Sequence, residues 1–193
     1  MNETNDAMNL CDHFLISMPH LHDQDFEQTL TYICEHNPQG AMGIVVNRPM
    51  ELSFEQMLGH MDFDKTSDLV CDASKPVYSG GPVQVDRGFI LHGATEKDWK
   101  SSFAINERLS MTTSVDILHA IAEGTGPSQY LIALGYAGWS AGQLEQEILH
   151  NSWLSCPADL DILFATESQQ RLSAAATKLG VNLDLLTSQS GHA

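Results

Sequence analysis

The chain has 193 residues, of which 42% are apolar, a composition that fills a hydrophobic core and excludes disorder throughout, collagen-like repeats and coiled coils. Its longest apolar run, residues 130–134, is far shorter than the roughly 20 residues that span a bilayer. With 25 Asp and Glu against 9 Lys and Arg, the net charge is −16, which disfavours direct binding to nucleic acid or to anionic lipid, because both are bound through Lys and Arg.

Short apolar runs predict the strands. They are bounded by turn residues and are rich in β-branched and aromatic side chains, a pattern typical of buried strands. The runs cover residues 14–16, 43–46, 87–91, 130–134 and 161–164. Because helical patterns separate most of these runs, the strands are expected to form a mixed sheet.

Helical spacing predicts five helices. The first covers residues 26–34, where apolar side chains fall on one face. The other four begin at polar N-caps, three of them followed by glutamine at capping-box spacing. These N-caps are Ser53, Ser114, Ser140 and Thr166. Gly180 is expected to end the last helix.

One α+β domain is expected over residues 12–186, since no linker interrupts it. Residues 1–11 are polar and acidic and are predicted to be a mobile lead-in, and residues 187–193 a flexible tail. The charged, turn-rich segments 62–76 and 93–110 are predicted to be surface loops or short edge elements.

Residues 138–142, Gly-Trp-Ser-Ala-Gly, match the G-x-S-x-G nucleophile elbow of α/β-hydrolases, and they lie between a predicted strand and a predicted helix. Serine catalysis also requires a histidine base, and only His150 and His192 follow Ser140. Neither is placed to accept a proton from the serine. The glycines are therefore interpreted as a tight turn and Ser140 as an N-cap, and no catalytic residue is assigned.

Neither a cofactor nor a metal ion is predicted. The glycines of residues 135–142 precede a helix, but no Lys-Ser/Thr follows them, and Glu145 and Glu147 would repel a phosphate. The candidate metal-binding segments are residues 20–23, His-Leu-His-Asp, and residues 34–36, Cys-Glu-His, whose Cys34 and His36 would point to different faces of a helix. The histidines are interpreted as solvated surface side chains, because the chain has no H-x-x-x-H motif and no cysteine pair.

The cysteines indicate a reducing compartment. They form no C-x-x-C motif, and the first residues lack the basic and apolar segments of a secretory signal, so a cytoplasmic protein with free thiols is expected. The thiols are interpreted as small buried hydrophobes rather than redox sensors. They are Cys11, Cys34, Cys71 and Cys156.

Arg48 lies directly after a predicted apolar strand. Residues 80–82, Gly-Gly-Pro, form a second sharp turn, and Arg87 begins the next strand. Two guanidinium groups beside a glycine turn would form a pocket for a carboxylate or a phosphate. Alternatively, Arg48 pairs with an acid such as Glu145 or Glu147 and locks the core. Both interpretations stay open at the level of sequence.

Aromatic side chains surround the helix that is predicted to begin at Ser140. Tyr136 and Trp139 precede it, and Trp153 follows it. Such residues either form a patch for a partner or fill the core, with each indole N–H satisfied locally.

Several ordered motifs together resemble the YqgE/AlgH family of bacterial proteins over residues 12–186. They are Glu35–Asn37, Gly40–Pro49, Gly80–Val83, Arg87–His92, Thr112–Leu118, Gly135–Trp139, Gly142–Glu145 and Asn151–Leu154. The resemblance implies an α+β fold, in which helices surround a mixed β-sheet with barrel-like character. It implies no established catalytic activity, and one branch of the family is named as a regulator of alginate synthesis. The family often has glycine at the position of Ser140, which argues further against a serine nucleophile.

The chain reversals in these motifs predict one candidate binding cleft. Its residues are Asn47, Arg48, Gly80, Gly81, Arg87, Gly135, Tyr136, Gly138, Trp139, Gln143 and Glu145. The expected function is that of a non-enzymatic regulatory or binding protein, whose partner is another protein or a small-molecule anion. The alternative is a hydrolase or transferase that uses the cleft formed by Arg48 and the Gly80-Gly81 turn.

Overall fold

The computed structural model describes residues 9–61, 72, 74–95 and 97–183. Within these residues, ten strands form one sheet, surrounded by four helices and a π-helical turn. The strands are β1 (His13–Ser17), β2 (Leu30–Asn37), β3 (Gly40–Val45), β4 (Pro49–Ser53), β5 (Pro76–Ser79), β6 (Val83–Gly93), β7 (Ser102–Ala104), β8 (Leu109–Thr112), β9 (Tyr130–Ser140) and β10 (Trp153–Pro157). The helices are α1 (Phe54–His60), α2 (Val115–Ala122), α3 (Gln143–Leu149) and α4 (Ser168–Lys178), and the π-helical turn is Asp161–Ala165.

The sheet is mixed and curled into a half-barrel. Its main path runs β10-β1-β2-β3-β9-β6-β8-β7, with β4 and β5 as a branch from β9. Strand β5 pairs with β9 in parallel, whereas the other pairs among the described strands are antiparallel. The predicted α+β class, single domain and barrel-like mixed sheet are confirmed.

Strand β9 changes partner half-way along its length. Residues 130–134 pair with β6, with β5 on the other side at Ala133 and Leu134, and residues 137–140 pair with β3. At the change, the Gly80 N–H donates to the carbonyl of Leu134, and the Gly80 carbonyl accepts from Val45 at the end of β3. The end of β5 therefore lies between β3 and β9 where these two strands separate.

Close backbone contact makes this separation possible. Gly135 has a φ of +74°, and a Cβ there would lie 2.4 Å from the carbonyl oxygen of Gly81. A Cβ on Gly80 would in turn lie 2.3 Å from the carbonyl oxygen of Gly135. Both distances are far shorter than van der Waals contact, so only glycine fits on both sides of this approach.

The buried side chains form three clusters. The largest lies beneath α4 and the π-helical turn and includes Phe14, Leu163 and Ala175. The second joins α1 to α2 through Phe54 and Ile121. The third cluster lies beside α3 and carries the aromatic side chains described below. No helix among the described residues has both the length and the apolar character needed to cross a membrane.

Two predicted elements are wrong. Residues 26–34 are not a helix: a loop leads to β2, whose residues from Leu30 to Cys34 are all buried. Because both faces of β2 are buried, apolar and polar residues do not alternate along it as they do in a half-exposed strand. The spacing of its apolar residues therefore resembled that of a helix by chance. Residues 161–164 are not a strand but belong to the π-helical turn, which is closed by the Thr166 N–H donating to the carbonyl of Asp161, five residues earlier. A short apolar run does not distinguish the two structures.

Helix starts were predicted closely but not always at the right residue. The capping box of Ser53 and Gln56 is confirmed in α1. Ser140, however, ends β9, and the N-cap of α3 is Gly142, which has a φ of +75°. Gln143 still accepts a hydrogen bond from the Ser140 N–H (3.0 Å), so the side chain reaches back across the turn as expected.

The second and last of these helices show the same small shifts. Ser114 is the N-cap of α2, as predicted, but its side chain makes no capping bond there. The N-cap of α4 is Glu167 rather than Thr166. Gly180 follows α4 with a φ of +73°, and its N–H donates to Thr177, so its predicted role in ending the helix is confirmed.

Parts of the predicted loops and chain ends lie outside the described residues, namely residues 1–8, 62–71, 73, 96 and 184–193. Of the expected lead-in, Leu10 is buried, and its N–H donates to His36 Nδ1 (3.0 Å). Segment 93–110 contains β7, which forms an outer edge of the sheet beyond β8, as expected for a short edge element.

The contact at Gly135 predicts a large stability difference between two glycine variants. Gly135→Ala should lower the free energy of unfolding by roughly 2–4 kcal/mol, because this position requires a left-handed backbone, which a Cβ disfavours, and because the methyl group collides with the Gly81 carbonyl. Gly88→Ala is the matched control on β6, since its Cβ meets nothing within 4 Å. Its effect should stay within about 1 kcal/mol. Urea denaturation measures both, and equal effects would contradict the contact.

Candidate functional site

Arg48 is bound to the chain's own backbone. Its Nη1 donates to the carbonyls of Gln24 (3.0 Å) and Asp25 (2.7 Å), and its Nη2 donates to the carbonyl of Glu27 (2.7 Å). The neighbouring Asn47 accepts from the N–H of Leu30 (2.8 Å) and donates to the carbonyl of Gln28. The two side chains therefore fasten the 24–28 loop to the sheet.

The predicted pairing of Arg48 with Glu145 or Glu147 is wrong, because both carboxylates have other partners. Glu145 accepts from His36 Nε2 (3.1 Å), and Glu147 accepts from two indoles. Since an arginine fork fits backbone carbonyls as well as carboxylates, the guanidinium does not require an acid here.

The two glycine turns of the predicted cleft touch each other. The backbones of Gly80 and Gly81 lie directly against those of Gly135 and Tyr136, which leaves no space for a ligand between them. Arg87 lies on the exposed part of β6, where it donates to Gln84 and Thr113. The structure thus brings the turns together and gives both predicted arginines partners within the chain.

Three of the predicted cleft residues line an open groove. We call it the β3–β9 groove, and its volume is about 420 Å³. Its lining includes Glu35, Gly40, Met42, Tyr136, Gly138, Trp139 and Ser140. Within the described residues, no lysine, arginine or histidine lines it, whereas Glu35 is exposed beside it with Asn37 as its hydrogen-bond partner (2.6 Å).

A cluster of aromatic side chains is organised by one carboxylate behind this groove. Glu147 Oε2 accepts from the indole N–H of Trp139 (2.9 Å) and from that of Trp153 (2.8 Å). The two indoles meet edge-to-face, with ring centroids 6.1 Å apart, and Phe26 packs against both. Gln143 donates to the other oxygen of Glu147. The interpretation of these tryptophans as core side chains with locally satisfied N–H groups fits this geometry.

His36 joins three parts of the fold. Its Nδ1 accepts from the Leu10 N–H, so its Nε2 carries the proton that is donated to Glu145 on α3. The His36 side chain is 4% exposed and that of Glu145 is 42% exposed. The contact is a structural link with one side in water, and it occupies the carboxylate that the cleft prediction had included.

The surroundings of Ser140 do not form a catalytic triad. Its hydroxyl makes no hydrogen bond to a histidine among the described residues. His150 is at the other end of α3, about 10 Å along the helix axis. His192 lies outside the described residues.

Neither the thiols nor the polar side chains form a reactive cluster in the part of the chain that the structure describes. Burial raises the pKa of Cys11, Cys34 and Cys156, and a raised thiol pKa lowers the thiolate fraction that reacts. Cys71 lies outside the described residues. No group of three or more His, Cys, Asp or Glu side chains in the described ranges is arranged to hold a metal ion.

Comparison with known proteins identifies the family. A family model described as AlgH-like matches residues 14–184. The chain belongs to the AlgH-like family. It is 57% identical to a UPF0301 protein of Pseudomonas fluorescens, with 94% of both chains covered, and 53% identical to one of Thioalkalivibrio sulfidiphilus, covering 97% of this chain and 98% of the relative.

Solved structures agree with this assignment. The solution structure of the AlgH protein from Pseudomonas aeruginosa is 52% identical, covers all of both chains and superimposes with a TM-score of 0.78. A crystal structure of a Corynebacterium diphtheriae protein is 21% identical with a TM-score of 0.70, covers 91% of this chain and 90% of that chain, and shows the fold alone. The resemblance to the YqgE/AlgH family, seen in the ordered motifs, is therefore confirmed.

Sequence reasoning missed two residues that the AlgH-like fold uses. Glu147 was considered as a charge that repels phosphate and as a partner of Arg48, whereas it accepts hydrogen bonds from two tryptophans. Arg171 was not singled out, yet it is buried on the inner face of α4. Its signal is the spacing to Ala175, since residues four apart share a helix face. A lone arginine on an otherwise apolar face needs internal partners.

The shared carboxylate predicts that Glu147→Ala is strongly destabilising. The change leaves two buried indole N–H groups without an acceptor, which should lower the free energy of unfolding by about 2–5 kcal/mol. Glu145→Gln is the control on the same helix: it removes the half-exposed charge but keeps an acceptor for the His36 N–H, so it should cost at most about 1 kcal/mol. Urea unfolding followed by tryptophan fluorescence measures both. Equal losses would contradict the role of Glu147 as the common acceptor.

Proposed function

We propose that this protein acts by binding a protein partner rather than by catalysis, and that the β3–β9 groove receives a basic segment of that partner. The observation that carries the proposal is the lining of the groove, in which Glu35 is exposed and no cation is present among the described residues. A cationic side chain is the natural complement to such a lining.

Overall charge supports the same partner. A net charge of −16 attracts basic surfaces over distances set by ionic strength and raises their association rate. The groove adds aromatic and small side chains, namely Tyr136, Trp139 and Gly138, against which the stem of a lysine or arginine packs. The regulatory role expected for this protein would then follow from binding of the partner's basic segment in the groove.

The use of charged groups within the predicted cleft supports a non-enzymatic role. Acid–base catalysis requires a titratable group within hydrogen-bond reach of the substrate. Arg48, Arg87 and Glu145 are instead hydrogen-bonded to groups of this chain. We therefore favour binding over the alternative of a hydrolase or transferase at Arg48 and the Gly80-Gly81 turn.

The groove proposal predicts an unequal effect of two charge-matched variants. A fluorescent tetralysine peptide, measured by anisotropy at low salt, should bind Glu35→Gln roughly three- to tenfold more weakly than the parent protein. Glu51→Gln, on exposed β4, removes the same charge outside the groove. Its affinity should change by less than about twofold. Equal losses would mean that net charge alone attracts the peptide, which contradicts the groove.

The non-enzymatic proposal predicts that Ser140 is inert. A fluorophosphonate probe should leave the serine unlabelled after hours of incubation, because no histidine hydrogen-bonds to its hydroxyl within the described residues. Intact-protein mass spectrometry detects the adduct, and a serine hydrolase run in parallel verifies the probe. Stoichiometric labelling that disappears in Ser140→Ala would show a competent nucleophile and overturn the proposal.

A further inference from the structure

A second, smaller pocket lies between β5, the start of β9, the π-helical turn and α4. Its volume is about 110 Å³, and it is lined by Lys75, Tyr78, Tyr130, Ile132, Phe164 and Arg171, among others. No acidic side chain of the described residues belongs to this lining. Lys75 and Arg171 are thus the charged side chains of this lining, and the carboxylates that interact with them electrostatically, Asp72 and Glu167, lie outside it.

The guanidinium of Arg171 forms the inner wall of the pocket. The residue is only 6% exposed, and its Nε donates to the carbonyl of Thr166 (3.0 Å) while its Nη1 donates to the carbonyl of Val46. The Tyr78 side chain also interacts with the guanidinium, and no carboxylate of the described ranges lies within 4 Å of it. Burial lowers the pKa of the guanidinium, but arginine stays charged in proteins.

Aromatic rings orient both cations. The guanidinium carbon of Arg171 lies 5.0 Å from the ring centroid of Tyr78, and the Lys75 ammonium lies 4.2 Å from that of Tyr130. Asp72 is the acid nearest to Lys75 along the described chain, but its carboxylate accepts from the N–H and the hydroxyl of Ser74. The positive charge of Lys75 is thus not neutralised by a direct ion pair among the described residues.

We propose that this pocket binds a small monocarboxylate of the size of acetate or propionate. The carboxylate lies between the Arg171 guanidinium and the Lys75 ammonium, and the alkyl end packs against Phe164 and Ile132. The site is separate from the β3–β9 groove and does not depend on the function proposed there.

Volume and chemistry select this class of ligand. A cavity of about 150 Å³ holds the six carbon atoms of benzene, so 110 Å³ accommodates on the order of four or five non-hydrogen atoms. The two cations can each donate to one oxygen of a carboxylate, and hydrogen bonds between charged groups are the strong ones. A phosphate carries about −1.5 to −2 charges and needs donors on every side, which a pocket walled in part by Pro76, Leu131 and Phe164 does not offer.

The test is a titration followed by ¹H–¹⁵N NMR, with sodium propionate exchanged for sodium chloride at constant ionic strength. Saturable shifts are expected at the backbone amides of Tyr78, Ile132 and Phe164. Lys75→Gln should weaken propionate binding by at least about tenfold. Lys97→Gln is the matched control, since Lys97 also lies over an aromatic ring, 4.5 Å from the centroid of Trp99, but outside the pocket. Its affinity should stay within about twofold of the parent.

Three results would overturn the proposal. They are the absence of saturation up to about 100 mM propionate, equal affinities of the Lys75 and Lys97 variants, and tighter binding of inorganic phosphate than of propionate. Arg171→Lys gives a second variant, which keeps the charge but loses the fork and should also bind propionate more weakly. If this buried change prevents folding, the Lys75 variant still decides the result, because its side chain is only half-buried.

Discussion

The fold depends on one close approach of two backbones. At the middle of β9, Gly135 turns with a positive φ, and the Gly80-Gly81 segment lies directly against it. This approach places the end of β5 between β3 and β9, so that Val45 pairs with Gly80 instead of with β9. The sheet separates there into two directions and curls. Every cavity described above lies beside strands whose course this contact sets.

Charged side chains in this acidic protein hold the architecture from within. Arg48 and Arg171 each bind backbone carbonyls of segments distant in sequence, and Glu147 holds two indole N–H groups. Removing a charge from water is costly, and several good hydrogen bonds offset that cost only when the geometry is fixed. These groups therefore secure loops and helices on the sheet. Glu35 in the groove is exposed, and Lys75 in the small pocket has no carboxylate within 4 Å among the described residues.

Sequence patterns predicted the local structure best where a single element decides it. The capping box of Ser53 and Gln56 depends on residues three apart, and it formed as expected. The helix predicted over residues 26–34 is wrong because β2 is buried on both faces. That burial depends on strands that are distant in the sequence. Three residues predicted for a cleft beside Arg48, namely Tyr136, Gly138 and Trp139, line the β3–β9 groove instead. Its acidic member, Glu35, comes from a hairpin about a hundred residues earlier, which no local pattern connects to them.

The sequence by itself determined the α+β class, the family, the formal net charge of −16 and the positions of the sharp turns, because these follow from composition, ordered motifs and the placement of glycines along the chain. Only the tertiary structure decided which groups meet. In the fold, Arg48 donates to backbone carbonyls and Glu147 accepts from two tryptophans. Arg171 and Lys75 line the same pocket. The reason is physical: a long-range hydrogen bond forms where packing brings a donor and an acceptor together, and packing is a property of the whole sheet.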